Sequence, residues 1–429
     1  MKIKVLMFGW EFPPHISGGL GTACYGLTKG LSKHDVNIMF VIPKAGGNED
    51  RGAIKIIDAS EVETEERSNL KNELWKHVKF ISAGANLIPY VDPETYDTER
   101  FRHIKIPQSD IGGSRKYEFS GKYGQNLMEE VAAYAIVAKT IVRREDFDII
   151  HAHDWLTYTA GIMAKKISGK PLVVHVHATE FDRSGENVNS IVYDMEKRGM
   201  TAADKIITVS NLTRRTVIEK YGINPDKVVT VYNAVDFSKK EAGKSDMGVK
   251  EKIVTFLGRI TYQKGPEYFI EAANKILKQV DDVRFVMAGS GDLMNRSVRR
   301  AAQLKIASRF HFTGFLKGND VWHMFENSDV YVMPSVSEPF GISPLEAMQA
   351  GVPTIISKQS GVAEILKHAI KIDYWNIDAM ADAIYGLLAY PTLSRMVGRL
   401  GKEEVNRLKW ENAALKVKAV YEQLLKNNF

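Results

Sequence analysis

Cysteine is nearly absent. Cys24 stands alone in a chain of 429 residues, which excludes an intramolecular disulfide and a cysteine-built metal centre. Long apolar runs are missing too. No stretch approaches the roughly 20 residues needed to span a bilayer, so no membrane partner is expected. The apolar start, Met1 to Phe8, is too short for the core of a secretion signal and reads as a first strand. A soluble, cytoplasmic protein is the expectation. Lysine and arginine form no long block and no stripe interleaved with aromatics, so nucleic acid is not an expected partner. The charge balance is only mildly basic, at +6. That suits an anionic ligand such as a nucleotide or phosphate, and equally a solvated surface.

What is present is an ordinary globular composition, 44% hydrophobic and 26% charged, which sets aside a disordered chain. The length exceeds one core, so two domains are expected. Strand and helix patterns alternate, the mark of parallel sheets with crossover helices. Strands are read at Lys4–Phe8, Asn37–Ile42, Phe147–His151, Leu172–His177, Lys205–Val209 and Val228–Tyr232. A second run follows at Ile253–Leu257, Arg284–Met287, Phe310–Thr313, Val330–Met333, Thr354–Ile356 and Ala369–Ile372. Helices fall between them, among them Asn211–Tyr221, capped by Ser210. Residues 45–125 break the rhythm with turn formers such as Asp92-Pro93 and Gly112-Gly113. They read as an insertion or as long sheet-edge loops. The polar, glycine-containing stretch 238–250 reads as a linker. Lys402–Leu425 reads as one helix with an apolar face. The expected architecture is α/β, with two doubly wound sheets facing each other across a cleft. The domains are placed at 1–238 and 239–407. The terminal helix, about 408–429, is expected to pack back on the first.

The densest chemical signal is Ser335-Val336-Ser337-Glu338-Pro339-Phe340-Gly341-Ile342-Ser343-Pro344-Leu345-Glu346. Two carboxylates flank a strand-to-helix turn, the edge where open α/β sheets bind ligands. The structural alternative is a capping box, with Ser343 at the cap and Glu346 returning to its amide. Five further stretches lie at strand ends. Pro13-Pro14-His15-Ile16-Ser17-Gly18-Gly19 joins the first strand to the first helix, where glycines and helix amides admit an anion. His151-Ala152-His153-Asp154-Trp155 carries metal-capable side chains. Its two histidines are read as pointing to opposite faces, which disfavours a metal, and Asp154 is a candidate helix cap. His175-Val176-His177 is read likewise, with one ring to the core and one to the cleft. Gly258-Arg259-Ile260-Thr261-Tyr262-Gln263-Lys264-Gly265 offers a planar fork and a point charge, a pairing suited to a diphosphate. Gly289, in Ala288-Gly289-Ser290-Gly291-Asp292, lies on a glycine-rich strand-to-helix turn that either seats a ribose or phosphate or is a tight turn alone.

Taken in order, Gly18-Gly19, His177, Arg259 with Lys264, and Glu338 with Glu346 resemble the retaining GT-B glycosyltransferases of family 4. The resemblance spans nearly the whole chain. It is strongest over 250–360 and weakest over 45–125. Phe8-Gly9-Trp10-Glu11-Phe12-Pro13-Pro14-His15, His151-Ala152-His153-Asp154-Trp155 and Val174-His175-Val176-His177 look further like the glycogen and starch synthase branch. Ile16 stands where the bacterial ADP-glucose synthases carry a lysine, and Glu346 is a second glutamate that those enzymes lack. The resemblance implies a GT-B fold of two Rossmann-like domains. It implies retaining transfer of a sugar, most simply glucose, from UDP- or ADP-glucose to an α-glucan. Arg259 and Lys264 would hold the diphosphate, and Glu346 the ribose. Glu338 and His177 would lie at the donor sugar. Phe340, Gly341, Ile342 and Ser343 would bind through backbone amides, and Gly18 and Gly19 would approach from the other domain. Asp154 would face the acceptor. No metal or other cofactor is implied, in keeping with the lack of an Asp-x-Asp motif near either glycine turn. The alternatives are a family 4 enzyme acting on a lipid-linked or cell-surface glycan and, in another class, a sugar-nucleotide epimerase on the same frame.

Overall fold

A computed structural model describes residues 2–14, 18–47, 49, 54–64, 116–121, 123–124, 126–235 and 251–426. The expected linker 238–250 and most of the irregular segment 45–125 lie outside the described residues, as do His15 and Ile16.

Among the described residues the strands form two sheets, both wholly parallel. In the first sheet the strands are β1 Ile3–Phe8, β2 Val36–Ile42, β3 Lys55–Asp58, β4 Ile149–His153, β5 Leu172–Val176, β6 Lys205–Thr208 and β7 Val228–Thr230. Their order is β3-β2-β1-β4-β5-β6-β7. The second sheet holds β8 Lys252–Leu257, β9 Val283–Ala288, β10 Phe310–Gly314, β11 Val330–Met333, β12 Thr354–Ser357 and β13 Ile370–Ile372, ordered β10-β9-β8-β11-β12-β13. Strands β4, β5, β11 and β12 are buried at every position, because helices cover both faces of a parallel sheet. That is why they read as largely apolar runs, interrupted by His151, His153 and His175 in β4 and β5 and by Thr354 and Ser357 in β12. Strand β3 escaped the sequence reading. It is a short edge strand of sequence Lys-Ile-Ile-Asp with no fully buried residue, so it has no such run. In each sheet the order reverses between two strands, β1 and β4 in one, β8 and β11 in the other. Such a reversal opens a crevice beyond the strands' carboxyl ends.

Alternate residues of β1 serve opposite faces. Leu6 and Phe8 join the helices 127–144, 155–168 and 190–202 on one side. Val5 and Met7 join helices 19–32 and 410–426 on the other. The last helix therefore completes the first domain's core although it follows the second in sequence. Its Trp410 lies in a seam made by Gly26 and Gly30. A methyl group on Gly26 would come within 2.2 Å of the Trp410 ring, and one on Gly30 within 2.7 Å of its carbonyl oxygen. The reading of one helix over 402–425 is corrected here. One helix ends at Val405 and the next begins at Trp410. The first packs on helix 343–349 of the second domain, the second on helix 19–32 of the first. A straight rod cannot serve both partners.

The domains are welded at one corner. Val209 and Val235 of the first share a core with Phe340, Leu345 and Met348 of the second. Gly361 is packed so tightly that a methyl group there would meet Ser210 Cβ at 2.4 Å. Helix 211–221 begins at this corner, and its first amides need acceptors. Ser210 Oγ accepts from the Thr213 amide at 3.0 Å. The amides of Asn211 and Leu212 donate to Glu364 of the other domain, at 2.9 and 2.7 Å. Tyr232 adds its hydroxyl to the same carboxylate at 2.8 Å. A helix of one domain is thus capped by a side chain of the other. Glu364→Ala is expected to cost about 1 kcal/mol, the ordinary worth of a cap, read from chemical denaturation. A variant as stable as the parent would show that the cap contributes nothing.

Candidate active site

The second domain's wall is built from two loops that hold each other. After β8, Arg259 Nη2 donates to Gln263 Oε1 at 2.7 Å. Lys264 forms an ion pair with Glu338, which stands beyond β11. The two side chains are only 19% and 8% exposed. Burying such a pair costs desolvation energy that further hydrogen bonds must offset. Ser335 Oγ supplies one to the same carboxylate at 3.3 Å. The backbones are tied as well, Val336 N to Gln263 O at 2.9 Å. Two glycines make the approach possible. At Gly265, with φ +66°, a Cβ would lie 2.2 Å from Pro334 O, and at Gly341, with φ +98°, one would lie 3.2 Å from Glu338 Cγ. Gly289 has a structural reason of its own, since a Cβ there would fall 1.8 Å from Gly258 O at φ +139°.

The capping-box reading of Ser343 and Glu346 does not hold. Ser343 is the first helical residue, the cap position is Ile342, and no side chain caps it. The Ser343 hydroxyl instead accepts from buried Tyr331 at 2.8 Å. Glu346 is half-buried in the helix's first turn. Phe340 is buried, and Ile342 packs on the first domain's core beside helix 19–32.

The first domain's wall holds a layer of imidazoles. The expectation that His151 and His153 point to opposite faces is corrected. Residues two apart in a strand share a face, and their rings stack at 4.3 Å. His175 and His177 stack at the same 4.3 Å, and β4 beside β5 places His153 opposite His175. His151, His153 and His175 are buried, and His177 at the strand end is the partly exposed member. His151 Nδ1 meets Tyr421 Oη of the last helix at 2.5 Å. His153 Nδ1 meets His177 Nε2 at 3.1 Å. Donor atoms of His151, His153 and His175 lie within 4.8 Å of one another, as do those of Cys24, His153 and His177. Among the described residues these are the groups that could hold a metal. An imidazole binds a metal in its ring plane, and the stacked rings of His151, His153 and His175 aim their lone pairs side by side, so convergence in that group would require the rings to turn.

Asp154 does not cap the helix it precedes. Its backbone is turned to φ +62°, a costly conformation for a non-glycine residue. The turn aims Oδ1 at two amides past β5, His177 N at 2.8 Å and Ala178 N at 3.4 Å. Gly18 and Gly19 lie at the start of helix 19–32, and a Cβ on either would meet nothing within 4 Å among the described residues.

Residues that sequence reasoning passed over join the walls. Ser337 Oγ donates to Asp182 Oδ1 across the domains at 2.6 Å. Asp182 is held by the Thr179 amide and hydroxyl, both at 2.8 Å. The spacing Thr179-x-x-Asp182 is a capping-box signature, and it was the available signal. Beneath this five-residue helix, 180–184, Arg183 pairs with Glu180 and Glu196, and Tyr221 donates to Glu196.

Burial sets the charge of this region. It holds His151 and His177 down to about 3. It also holds His153 and His175 well below the ordinary range, with neighbouring imidazoles adding to it. Burial pushes Asp154 up to about 6 and Glu196 up to about 7. A histidine with a depressed folded pKa contributes stability that is complete above its unfolded value, about 6.5, and lost as pH falls toward the folded value. The two raised carboxyls act the opposite way, binding protons more tightly when folded. Between pH 6 and 5 four imidazoles outweigh two carboxyls. Unfolding then takes up a net of about two protons, roughly 3 kcal/mol per pH unit. The melting temperature is expected to drop by several degrees from pH 7 to pH 5. A flat or rising value would refute the buried neutral layer.

Two family models match the chain. "Glycosyl transferases group 1" covers residues 237–404 and "Glycosyltransferase Family 4" covers 117–239. An uncharacterised glycosyltransferase of Methanocaldococcus jannaschii is 29% identical, over 98% of each chain. A glycogen synthase of Mycobacterium tuberculosis is 22% identical over 98% of this chain and 94% of its own. The HepE protein of Anabaena, solved with UDP-glucose, shares the fold. Its TM-score is 0.71 at 16% identity, over 98% of this chain and 100% of that one. With two facing doubly wound sheets and both family models matched, the chain belongs to the GT-B glycosyltransferases and is similar to glycogen synthase.

Proposed function

We propose that the protein is a retaining hexosyltransferase that moves glucose from UDP- or ADP-glucose to an α-glucan. The observation that carries the reading is the cationic corner of the second domain. Arg259 and the Lys264–Glu338 pair stand at the carboxyl ends of β8 and β11, the reversal point of their sheet. A sugar nucleotide breaks at the bond between sugar and β-phosphate, and negative charge grows on the departing diphosphate. Fixed cations at that point stabilise the transition state more than the ground state. Arg259 offers the diphosphate a planar fork, and Lys264 turns to it while keeping Glu338 as its counter-ion. Glu338 also reaches the donor sugar's hydroxyls, and Glu346 takes the ribose hydroxyls. The backbone from Phe340 to Ser343, with Gly289, follows the donor in the second domain. Gly18 and Gly19 meet the diphosphate from the first. His177, neutral at working pH, donates a hydrogen bond to the sugar near the reacting carbon, and Asp154 stands on the acceptor side. The acceptor hydroxyl attacks from the face the diphosphate leaves, and the leaving phosphate oxygen takes its proton. The charge chemistry is assigned to side chains, with no metal or cofactor. The similarity to glycogen synthase supports the glucan acceptor, and HepE's UDP-glucose supports a glucosyl donor.

Arg259→Ala is the cleaner test, because Lys264→Ala also strands a buried carboxylate. It is expected to lower kcat/KM by about 100- to 1,000-fold, with the melting temperature nearly unchanged. Near-parental turnover would remove the diphosphate assignment. Glu346→Gln is expected to raise the donor KM with a smaller change in kcat. A panel of UDP-, ADP- and GDP-sugars against glycogen and maltooligosaccharides, scored by nucleotide release, should show acceptor-dependent turnover with a glucosyl donor. Release of equal rate without acceptor would point to an epimerase or hydrolase instead.

A further inference from the structure

His177 is gripped at two points by two consecutive residues. Asp154 holds its backbone amide at 2.8 Å. His153 holds its ring, Nδ1 to Nε2, at 3.1 Å. His153 is fully buried, and its own Nε2 has no partner among the described residues. The pair admits two proton arrangements. If His177 donates from Nε2, then His153 must carry its proton on Nε2, where an N–H would be buried with no acceptor. If His153 donates from Nδ1, its Nε2 is a bare lone pair, and the pair adds no second stranded N–H to a layer where His175 already has neither ring nitrogen partnered among the described residues. The second arrangement also leaves His177 with its proton on Nδ1, the one ring nitrogen that His153 does not occupy. In water, free histidine prefers the opposite tautomer. The buried ring therefore chooses what the partly exposed ring can offer a ligand.

We propose that His153 is a positioning residue that holds His177 in the Nδ1–H tautomer, so that a neutral N–H donor faces the sugar of the bound donor. The bond also fixes the plane of the His177 ring, which stacks on His175 at 4.3 Å and is tilted 32° from His153. His151 backs His153 from its other face at 4.3 Å and is itself tied to Tyr421 at 2.5 Å. The last helix thus supports the ring that orients His177. The kinetic side of this inference rests on the reading of His177 as a sugar contact. The tautomer itself does not.

Long-range 1H–15N spectra of the full chain labelled at histidine test it directly. The His177 signals are identified by their loss in His177→Gln. In the parent, Nδ1 of His177 is expected to give a protonated-type shift. In His153→Phe that shift should move toward the unprotonated type as the ordinary tautomer takes over. Kinetically, His153→Phe should lower kcat by about 10- to 100-fold, the scale of a misplaced catalytic group, with a smaller change in donor KM. His153→Asn keeps an N–H donor near the same place and should recover most of the loss. A His177 protonated at Nε2 in the parent would overturn the proposal. So would a folded His153→Phe that turns over like the parent while His177→Gln is impaired. Full activity in His177→Gln would instead remove the sugar-contact reading, and the spectrum would still decide the tautomer.

Discussion

Parallel strand pairing is the constraint from which the site follows. A parallel strand cannot be reached by a tight turn, so each must be approached through a helix from the far end of the sheet. All carboxyl ends then lie on one edge, and every strand-to-helix turn opens there. His153 with Asp154, His177, Arg259, Gly289 and Glu338 come from separate strand ends and lie on such edges for this reason. The reversal of strand order between β1 and β4, and between β8 and β11, leaves a crevice on each edge.

The same constraint explains how much could be read from the residues. Buried parallel strands are mostly apolar, and most were located to within a residue or two. The turns after them carry glycines for reasons now visible, such as the contact between Gly265 and Pro334. Long-range partners left no local trace. Ser337 gives no hint in sequence that it bonds Asp182, 155 positions away. Glu364 gives none that it caps a helix of the other domain. Strand β3 was invisible because an edge strand needs no apolar run. The break near 406 was invisible because the apolar spacing continues across it, while the packing partner changes. The histidines were misread on geometry. Their spacing of two was legible, and it puts both rings on one face.

Electrostatics divides the site into two unlike walls. The second domain presents ionised groups already paired, Lys264 with Glu338. The first presents imidazoles that burial keeps neutral, beside an aspartate that burial drives toward its acid form. Charge on one side and neutral hydrogen-bonding groups on the other suit a ligand with an ionic and a non-ionic end.

The crossing of the chain at residues 406–409 has a mechanical consequence. Val235, the last described residue before the chain leaves the first domain, pairs with Lys409, just before it returns, and its amide reaches Leu408 O at 3.4 Å. A domain joined by one strand of chain is on a tether and can swing in any direction. Here outgoing and returning strands are fastened side by side. Twisting or sliding one past the other would break that bridge. Any relative movement of the two domains would have to strain this pairing together with the core that Val209 and Val235 share with Phe340, Leu345 and Met348.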